Sequence, residues 1–292
     1  MKKTVAIFGA TGAQGAPVVK AAVARGLKVR AVARDLNKIT DMHSDAEAFS
    51  ATLDDVDAIA QALAGVDAAF LHLPMPVGPD DAQTWLTNFM IAAKRAALPL
   101  LVYTTSGPSG NRYPESMMVQ AGTAGMQALL DSEIATIVLQ PGIYLENLRA
   151  DMIVPKLDRE GILDYPPLDT STQIQWTSHH DQALVATAAL TRPDLAGNAY
   201  EIGTKGSLTG EQLAKVLTNK LCKPVTFAPL TPAEFGQRVG DAIASPGAAF
   251  ALTDLYTSLA KMRDAEMQVN LSLIEKTFDV RLTSVEEHIA RW

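Results

Sequence analysis

A glycine-rich segment near the amino terminus has the composition and position of a phosphate-binding loop. Residues 4–8 form a short apolar run, residues 9–15 read Gly-Ala-Thr-Gly-Ala-Gln-Gly, and a helical pattern follows at once. Glycine lets the chain turn sharply out of a strand, lets its backbone touch a ligand, and lets the next helix pack closely on the sheet. The first gap is one residue wider than in the common fingerprint, and an ordinary strand–turn–helix joint is the alternative. The context nevertheless predicts a dinucleotide site.

The end of the second predicted strand indicates which dinucleotide would bind. This strand covers Lys28–Ala33 and is followed by Arg34 and Asp35. An enzyme that uses NAD usually has an acid here to hold the ribose hydroxyls, whereas the planar guanidinium of an arginine grips a 2′-phosphate. Lys38, one helical turn later, would add positive charge. We therefore expect NADP(H) as the cofactor. The alternative is that Asp35 binds the ribose and Arg34 is a solvated loop residue.

Alternating strand-like and helix-like segments would position these residues. Apolar patterns predict strands at 28–33, 68–73, 100–104 and 135–139, and helices at 15–25, 55–63, 82–97 and 119–130. Strands that alternate with helices form βαβ units with right-handed crossovers and a parallel sheet. The predicted fold class is therefore α/β, a doubly wound Rossmann sheet with a smaller C-terminal α/β lobe.

The last third of the sequence has a different pattern and predicts the smaller lobe. Prolines are frequent there, and helices predicted at 211–221 and 232–239 flank a short strand at 225–227. We expect residues 1–150 to form the NADP-binding Rossmann domain and residues 151–292 to form the lobe, with part of 181–204 returning to the Rossmann domain. No flexible linker separates the two parts, so the sequence predicts a shared cleft.

Composition argues against several other classes of protein. The 292 residues are 48% hydrophobic and 20% charged, with a formal net charge of −7 and no block of Lys and Arg, unlike a nucleic-acid-binding surface. No apolar stretch approaches the roughly 20 residues of a membrane span, and Gly9 and Gly12 interrupt the apolar run that a signal peptide needs. The single cysteine, Cys222, allows no intramolecular disulfide. We therefore expect a cytoplasmic protein that binds neither membrane nor nucleic acid.

Two histidines next to an aspartate are the strongest candidates for a metal site. His179, His180 and Asp181 are consecutive in the sequence. Adjacent histidines in one loop do not readily point to one ion, and Asp181 fits better as the N-cap of a helix that begins near Gln182. We therefore expect no metal site.

Several stretches resemble one family. The loop at 9–15, the strand and arginine at 29–34, and the segment Pro-Gly-Ile-Tyr-Leu-Glu-Asn at 141–147 resemble the NmrA-like family of atypical short-chain dehydrogenase/reductases, as do residues 92–96, 102–106 and 136–140. The resemblance covers essentially the whole chain and is densest before residue 150. It implies a Rossmann fold, NAD(P)H binding and an activity similar to that of the family's NADPH-dependent quinone reductases.

The resemblance also implies where the cofactor would lie. The loop would contact the phosphates, and Arg34 and Lys38 would contact the 2′-phosphate. Thr52 stands where relatives often have an aspartate, so its contact with the adenine would be weaker. Residues after the fifth and sixth strands would flank the nicotinamide. The implied cofactor-binding residues are Gly9, Thr11, Gly12, Ala13, Gln14, Gly15, Arg34, Lys38, Thr52, Leu53, His72, Leu73, Pro74, Thr105, Pro141 and Tyr144.

The catalytic residues are where the sequence departs most from the family. Typical short-chain reductases use a tyrosine whose pKa is lowered by a lysine four residues later. None of the 6 tyrosines has such a lysine, and the sequence has no lysine between Lys94 and Lys156. Tyr113, Ser106 and Thr105 remain as candidates that could polarise an acceptor carbonyl.

Two functions follow from this departure. The first is an NADPH-dependent reductase of a small quinone-like or carbonyl acceptor, because a quinone can take its proton from water. The second is a catalytically inactive NADP(H) sensor that acts through a regulatory protein partner. The cleft predicted between the two parts of the chain favours the reductase.

Overall fold

A seven-stranded parallel sheet forms the centre of the computed structural model, which describes residues 2–75, 80–166, 171–263 and 265–292. Short strands rich in Val, Ile and Ala suit a sheet that is buried on both faces. In chain order the strands are β1 (Thr4–Phe8), β2 (Lys28–Ala33), β3 (Glu47–Ser50), β4 (Ala68–His72), β5 (Leu101–Thr104), β6 (Thr136–Pro141), β7 (Ile143–Tyr144), β8 (Ile162–Leu163), β9 (Trp176–Thr177), β10 (Asn198–Ile202) and β11 (Thr226–Phe227).

Helices connect these strands and cover the sheet. In chain order they are α1 (Gly15–Ala24), α2 (Leu36–Met42), α3 (Val56–Leu63), α4 (Asp81–Arg95), α5 (Met117–Leu130), α6 (Leu157–Glu160), α7 (His179–Ala189), α8 (Gly210–Leu221), α9 (Pro232–Ala242), α10 (Pro246–Leu259), α11 (Leu271–Phe278) and α12 (Val285–Ala290). Short 3-10 helices occupy Leu145–Arg149 and Pro193–Leu195. No helix in the described ranges is long and apolar enough to cross a membrane.

The strand order places the glycine-rich loop at a ligand-binding position. The order across the sheet is β10-β6-β5-β4-β1-β2-β3, and neighbouring strands are parallel. The order reverses between β1 and β4, so the loop after β1 opens onto the crevice where doubly wound sheets bind their ligands. The predicted α/β Rossmann class is confirmed. β10 pairs with β6, so residues Asn198–Ile202 add a further strand to this sheet.

Two apolar layers hold helices against the sheet. On one face, residues of α1, α7 and α11 form a buried cluster with the strands, and Ala22, Ala186 and Phe278 belong to it. On the other face, α3, α4 and α5 bury side chains such as Ile59 and Phe89. Helices cover both faces of the sheet. A ligand can therefore reach the polar groups of the sheet at the ends of its strands.

A third apolar cluster lies mainly among the helices of the C-terminal part of the chain. It contains residues of α8, α9, α10 and α12 around the fully buried Trp176. Tyr113, Ile143 and Leu145 belong to the same cluster. The segments that follow β5 and β6 are therefore packed directly against the lobe.

The start of α7 differs from the sequence prediction. The helix begins at His179, and Ser178 is its N-cap, with a hydroxyl that accepts the Asp181 backbone N–H at 3.0 Å. The prediction that Asp181 is the cap was wrong. Asp181 is buried in the first turn and accepts hydrogen bonds from the hydroxyls of Thr204 and Thr283 at 2.6 and 2.9 Å. It therefore ties α7 to the segment after β10 and to the segment before α12.

Candidate functional site

The glycine-rich loop is shaped by close backbone contacts. Gly9 has φ +71°, a conformation that favours glycine, and its carbonyl accepts the Gly12 N–H at 2.9 Å. A Cβ on Gly15 would lie 2.2 Å from the Gly9 oxygen, so a side chain there would displace the backbone. A Cβ on Gly12 would lie 3.3 Å from the same oxygen. The loop is thus folded tightly onto the start of α1, as a phosphate cradle requires.

Arg34 and Asp35 have separate roles at the end of β2. One carboxylate oxygen of Asp35 accepts the Lys38 backbone N–H at 3.1 Å and so caps α2. Arg34 and Lys38 are exposed, and neither side chain forms an ion pair with another residue in the described part of the chain. Asp35 therefore caps α2, while the cationic side chains of Arg34 and Lys38 are available to an anionic ligand.

The residues predicted to lie near the adenosine differ in their exposure. Thr52 and Pro74 are exposed, whereas Leu53 and Leu73 are half-buried and pack against the apolar layer of α3 and α4. The His72 ring lies against the glycine-rich loop, since a Cβ on Gly9 would lie 2.2 Å from the Nε2 atom of His72.

His72 also has an unsatisfied polar atom. Its Nε2 is buried and has no hydrogen-bond partner among the residues that the structure covers. Burial, more than any other cause, lowers the pKa of His72, so a neutral ring lies beside the loop near pH 7.

A polar cluster connects the loop to the ends of β5 and β6. The Ser106 hydroxyl donates to Gln14 Oε1 at 3.2 Å, and the Tyr144 hydroxyl lies 3.0 Å from the same oxygen. Gln182, on the first turn of α7, accepts the Tyr144 hydroxyl at 2.5 Å and reaches Gln14 at 3.3 Å. We call Gln14, Ser106, Tyr144 and Gln182 the loop cluster. It brings three of the predicted site residues together.

The segment after β5 is strained where it enters this cluster. Ser106 has φ +59°, a left-handed conformation that costs free energy for a residue with a Cβ. Thr104 Oγ1 accepts the Ser106 N–H at 3.2 Å and holds this turn in place. Thr105 is next to it, with a hydroxyl that donates to the Gly107 carbonyl at 2.9 Å and accepts from Ser109 at 3.0 Å. In this conformation the Ser106 hydroxyl reaches Gln14 of the loop.

Tyr113 has a different environment from the other candidates. Its hydroxyl accepts from Arg112 at 3.1 Å, and the Arg112 guanidinium lies 4.6 Å from the centre of its ring. Arg112 in turn pairs with Glu201 at 2.6 Å. Burial raises the pKa of Tyr113, and the Arg112 charge opposes that rise. Within the described ranges, no hydrogen bond joins Tyr113 to the loop cluster.

Three ionisable residues form a group next to Tyr144. The His179 ring is 4.5 Å from the Tyr144 ring, centre to centre. Glu146 Oε1 accepts the His179 backbone N–H at 3.0 Å and contacts His288 Nε2 at 3.0 Å. We call Glu146, His179 and His288 the histidine–glutamate group. Through the His179 ring, this group contacts Tyr144.

The sequence did not assign roles to Gln182 or to this group. Glu146 belongs to the Pro-Gly-Ile-Tyr-Leu-Glu-Asn segment, so a signal for it was present, and Ser178 three residues before Asp181 is a capping pattern that places α7 correctly. Gln182 has no such signal, because only the packing of α7 brings it to Tyr144.

Pro141 is buried at the end of β6, next to the turn that carries Tyr144. In the ranges covered by the structure, no three His, Cys, Asp or Glu residues are arranged to hold a metal ion.

Known proteins with similar sequences are reductases. The chain is 26% identical over 253 residues to an NAD(P)H azoreductase from Xenophilus azovorans, covering 86% of each chain. It is also 26% identical over 226 residues to a (4-alkanoyl-5-oxo-2,5-dihydrofuran-3-yl)methyl phosphate reductase from Streptomyces griseus, covering 77% of each.

Solved structures share the fold, and a family model covers almost the whole chain. An NADPH-dependent quinone oxidoreductase from Escherichia coli, solved with NADPH, has a TM-score of 0.80 at 23% identity, over 99% of this chain and 98% of that one. A triphenylmethane reductase from Citrobacter sp. has a TM-score of 0.78 at 18% identity, over 100% and 99%. The model of the NmrA-like family matches residues 1–289, so this chain belongs to the NmrA-like family.

Proposed function

We propose that this protein is an NADPH-dependent reductase of small, planar electron acceptors such as quinones and dyes. The observation that carries the proposal is the loop cluster, in which Ser106 and Tyr144 contact Gln14 of the glycine-rich loop. It places hydroxyl groups at the carboxyl edge of the sheet, beside the loop at the switch point of the strand order.

The residues present fit NADP(H). The Gly9 conformation and the close packing of Gly12 and Gly15 leave backbone N–H groups free of side-chain obstruction for a pyrophosphate. Arg34 and Lys38 would bind the 2′-phosphate, since both cations are exposed and unpaired in the described residues, while one oxygen of Asp35 caps α2. When bound, NADPH would supply a hydride.

The acceptor class is supported by the relatives. Their names specify azo, quinone and triphenylmethane reduction, and all three acceptor types are conjugated molecules that accept a hydride. Ser106 and Thr105 would polarise an acceptor carbonyl from the end of β5, and Tyr113 would contribute from the lobe side. Each hydroxyl supplies one hydrogen bond, so each contributes modestly.

The experiment is a turnover assay on the purified chain. NADPH and NADH oxidation are followed at 340 nm with 1,4-naphthoquinone, an azo dye and a cationic triarylmethane dye as acceptors. We expect turnover with NADPH, and about a tenfold loss in Ser106→Ala and in Tyr113→Phe, because each change removes one hydrogen bond worth about 1.4 kcal/mol. A loss of several orders of magnitude in Tyr113→Phe would instead identify it as the main proton donor.

The same preparation tests the sensor alternative. A sensor would turn over none of these acceptors, but NADPH would change the protease sensitivity of the chain after Ala150. No turnover together with no protection by NADPH would refute both functions.

A further inference from the structure

We propose that His179, held by Glu146, is the proton donor of this site. The inference rests on the proposed reductase function and supplies what the sequence lacks, a charged partner for proton transfer. Tyr144 does not serve alone, because burial raises its pKa far above the usual range and its hydroxyl already bonds Gln182. His179 is the ionisable side chain whose ring lies against Tyr144.

The two oxygens of Glu146 are in different environments. Oε1 accepts the His179 backbone N–H and contacts His288 Nε2, both at 3.0 Å. Oε2 is buried and has no hydrogen-bond partner in residues 2–75, 80–166, 171–263 and 265–292. A buried carboxylate oxygen without a partner is costly. The nearest candidate is His179 Nδ1, at 3.7 Å. At this distance, which is longer than a hydrogen bond, a proton on Nδ1 would place a positive charge beside Oε2 as an ion pair.

The orientation of the His179 ring separates its two nitrogens. Nδ1 faces Glu146, and the ring geometry of histidine then directs Nε2 away from that carboxylate. No residue of the described chain hydrogen-bonds Nε2. When His179 is cationic, its Nδ1–H faces Glu146 as an ion pair, and its Nε2–H remains available to an acceptor. This is the arrangement in which a carboxylate orients a histidine for proton transfer.

Other charges around His179 set when it is protonated. Burial lowers the pKa of His179 most, Glu146 raises it, and His288 on α12 lowers it again, with a net lowering. A cationic His179 lowers the pKa of His72 at the end of β4, whereas His180 is turned toward His288 and Arg291. Burial raises the pKa of Glu146, but the His288 hydrogen bond and the two histidine charges hold it below its ordinary value. Because the pKa of His179 is lowered overall, a cationic His179 beside an ionised Glu146 releases its proton more readily than a free imidazolium does.

The proposed step balances for a quinone. The acceptor gains a hydride, and so two electrons, from the reduced nicotinamide, and the resulting hydroquinone anion takes the Nε2 proton of His179. One O–H bond forms, one N–H bond breaks, and neutral His179 regains its proton from solvent. A cationic triarylmethane dye differs, because hydride alone neutralises it and no proton is needed.

This difference provides the test. Reduction of 1,4-naphthoquinone and of crystal violet by NADPH is measured in the unaltered protein, His179→Gln and Glu146→Gln, with His180→Gln as the matched control. We expect His179→Gln to lose about 100-fold in kcat with the quinone, as is typical of a missing general acid, and to change less than about twofold with the dye. Retained dye reduction also shows that the variant is folded. The control should keep both activities, and the unaltered protein should reduce the quinone faster as the pH falls through the pKa of His179.

Different outcomes would overturn different statements. Equal losses with both acceptors, or an unchanged quinone rate, would refute the proton-donor role and leave the reductase function standing. No reduction of either acceptor by the unaltered protein would refute the function itself. Independently of turnover, a proton NMR titration of the histidines should show a lower pKa for His179 in Glu146→Gln. An unchanged pKa would refute the role of Glu146.

Discussion

Cofactor preference is expected to depend on Arg34. The Arg34→Ala change removes an exposed guanidinium that forms no ion pair with the described residues, so the fold should not lose stability. A charge-assisted hydrogen bond to a phosphate contributes about 1.5–3 kcal/mol, which corresponds to about 10- to 150-fold in affinity. We therefore expect NADPH to bind more tightly than NADH, and the ratio of their dissociation constants to fall by that factor in Arg34→Ala.

A matched control removes the same charge from the opposite end of the strand. Lys28 begins β2 and Arg34 follows it, so the two lie six residues apart, or roughly 20 Å at about 3.3 Å per residue. At about 0.15 M salt the Debye length is about 8 Å, so the Lys28 charge is screened from the cofactor site. Calorimetry with NADPH and NADH on the unaltered protein, Arg34→Ala and Lys28→Ala measures the effect. Equal affinities for the two cofactors in the unaltered protein, or equal losses in both variants, would refute the assignment of the 2′-phosphate to Arg34.

Three further predictions concern the loop, the loop cluster and pH. Gly12→Val should weaken NADPH binding by about 5- to 150-fold, because a side chain that overpacks the loop costs about 1–3 kcal/mol. Its circular dichroism spectrum should be native-like, and Gly247→Ala in α10 should bind normally. Unchanged affinity in Gly12→Val would contradict the loop assignment. Tyr144→Phe should lower the free energy of unfolding by about 1–3 kcal/mol, since Gln182 loses a buried partner; an unshifted urea midpoint would contradict it. Burial lowers the pKa of His72 and His179 from 6.5, so both bind protons more readily when unfolded. The free energy of unfolding should therefore fall as the pH drops below 6.5, and urea titrations at pH 8, 7, 6 and 5 that show a rise would contradict this sign.

Local patterns failed where a side chain's partners come from distant segments. Asp181 has the residue type of an N-cap, but its buried carboxylate accepts hydrogen bonds from Thr204 and Thr283. The N-cap of α7 is instead Ser178. The Tyr113 hydroxyl accepts from its sequence neighbour Arg112, and the position of that arginine depends on Glu201, 89 residues later. In both cases the residue type was informative, and its direction depended on contacts that sequence spacing does not contain.

The sequence by itself determined the features that depend on contiguous residues. The strand, glycine-rich loop and helix of residues 4–24 form one local unit, and Arg34 follows the next strand, so the Rossmann class and the family could be predicted from local patterns. Only the tertiary structure decided which side chains meet. Gln14 reaches Ser106, Tyr144 and Gln182 across 92, 130 and 168 residues of sequence, and Glu146 reaches His288 across 142. The physical reason is that a parallel sheet brings the carboxyl ends of its strands to one edge, whatever their separation along the chain.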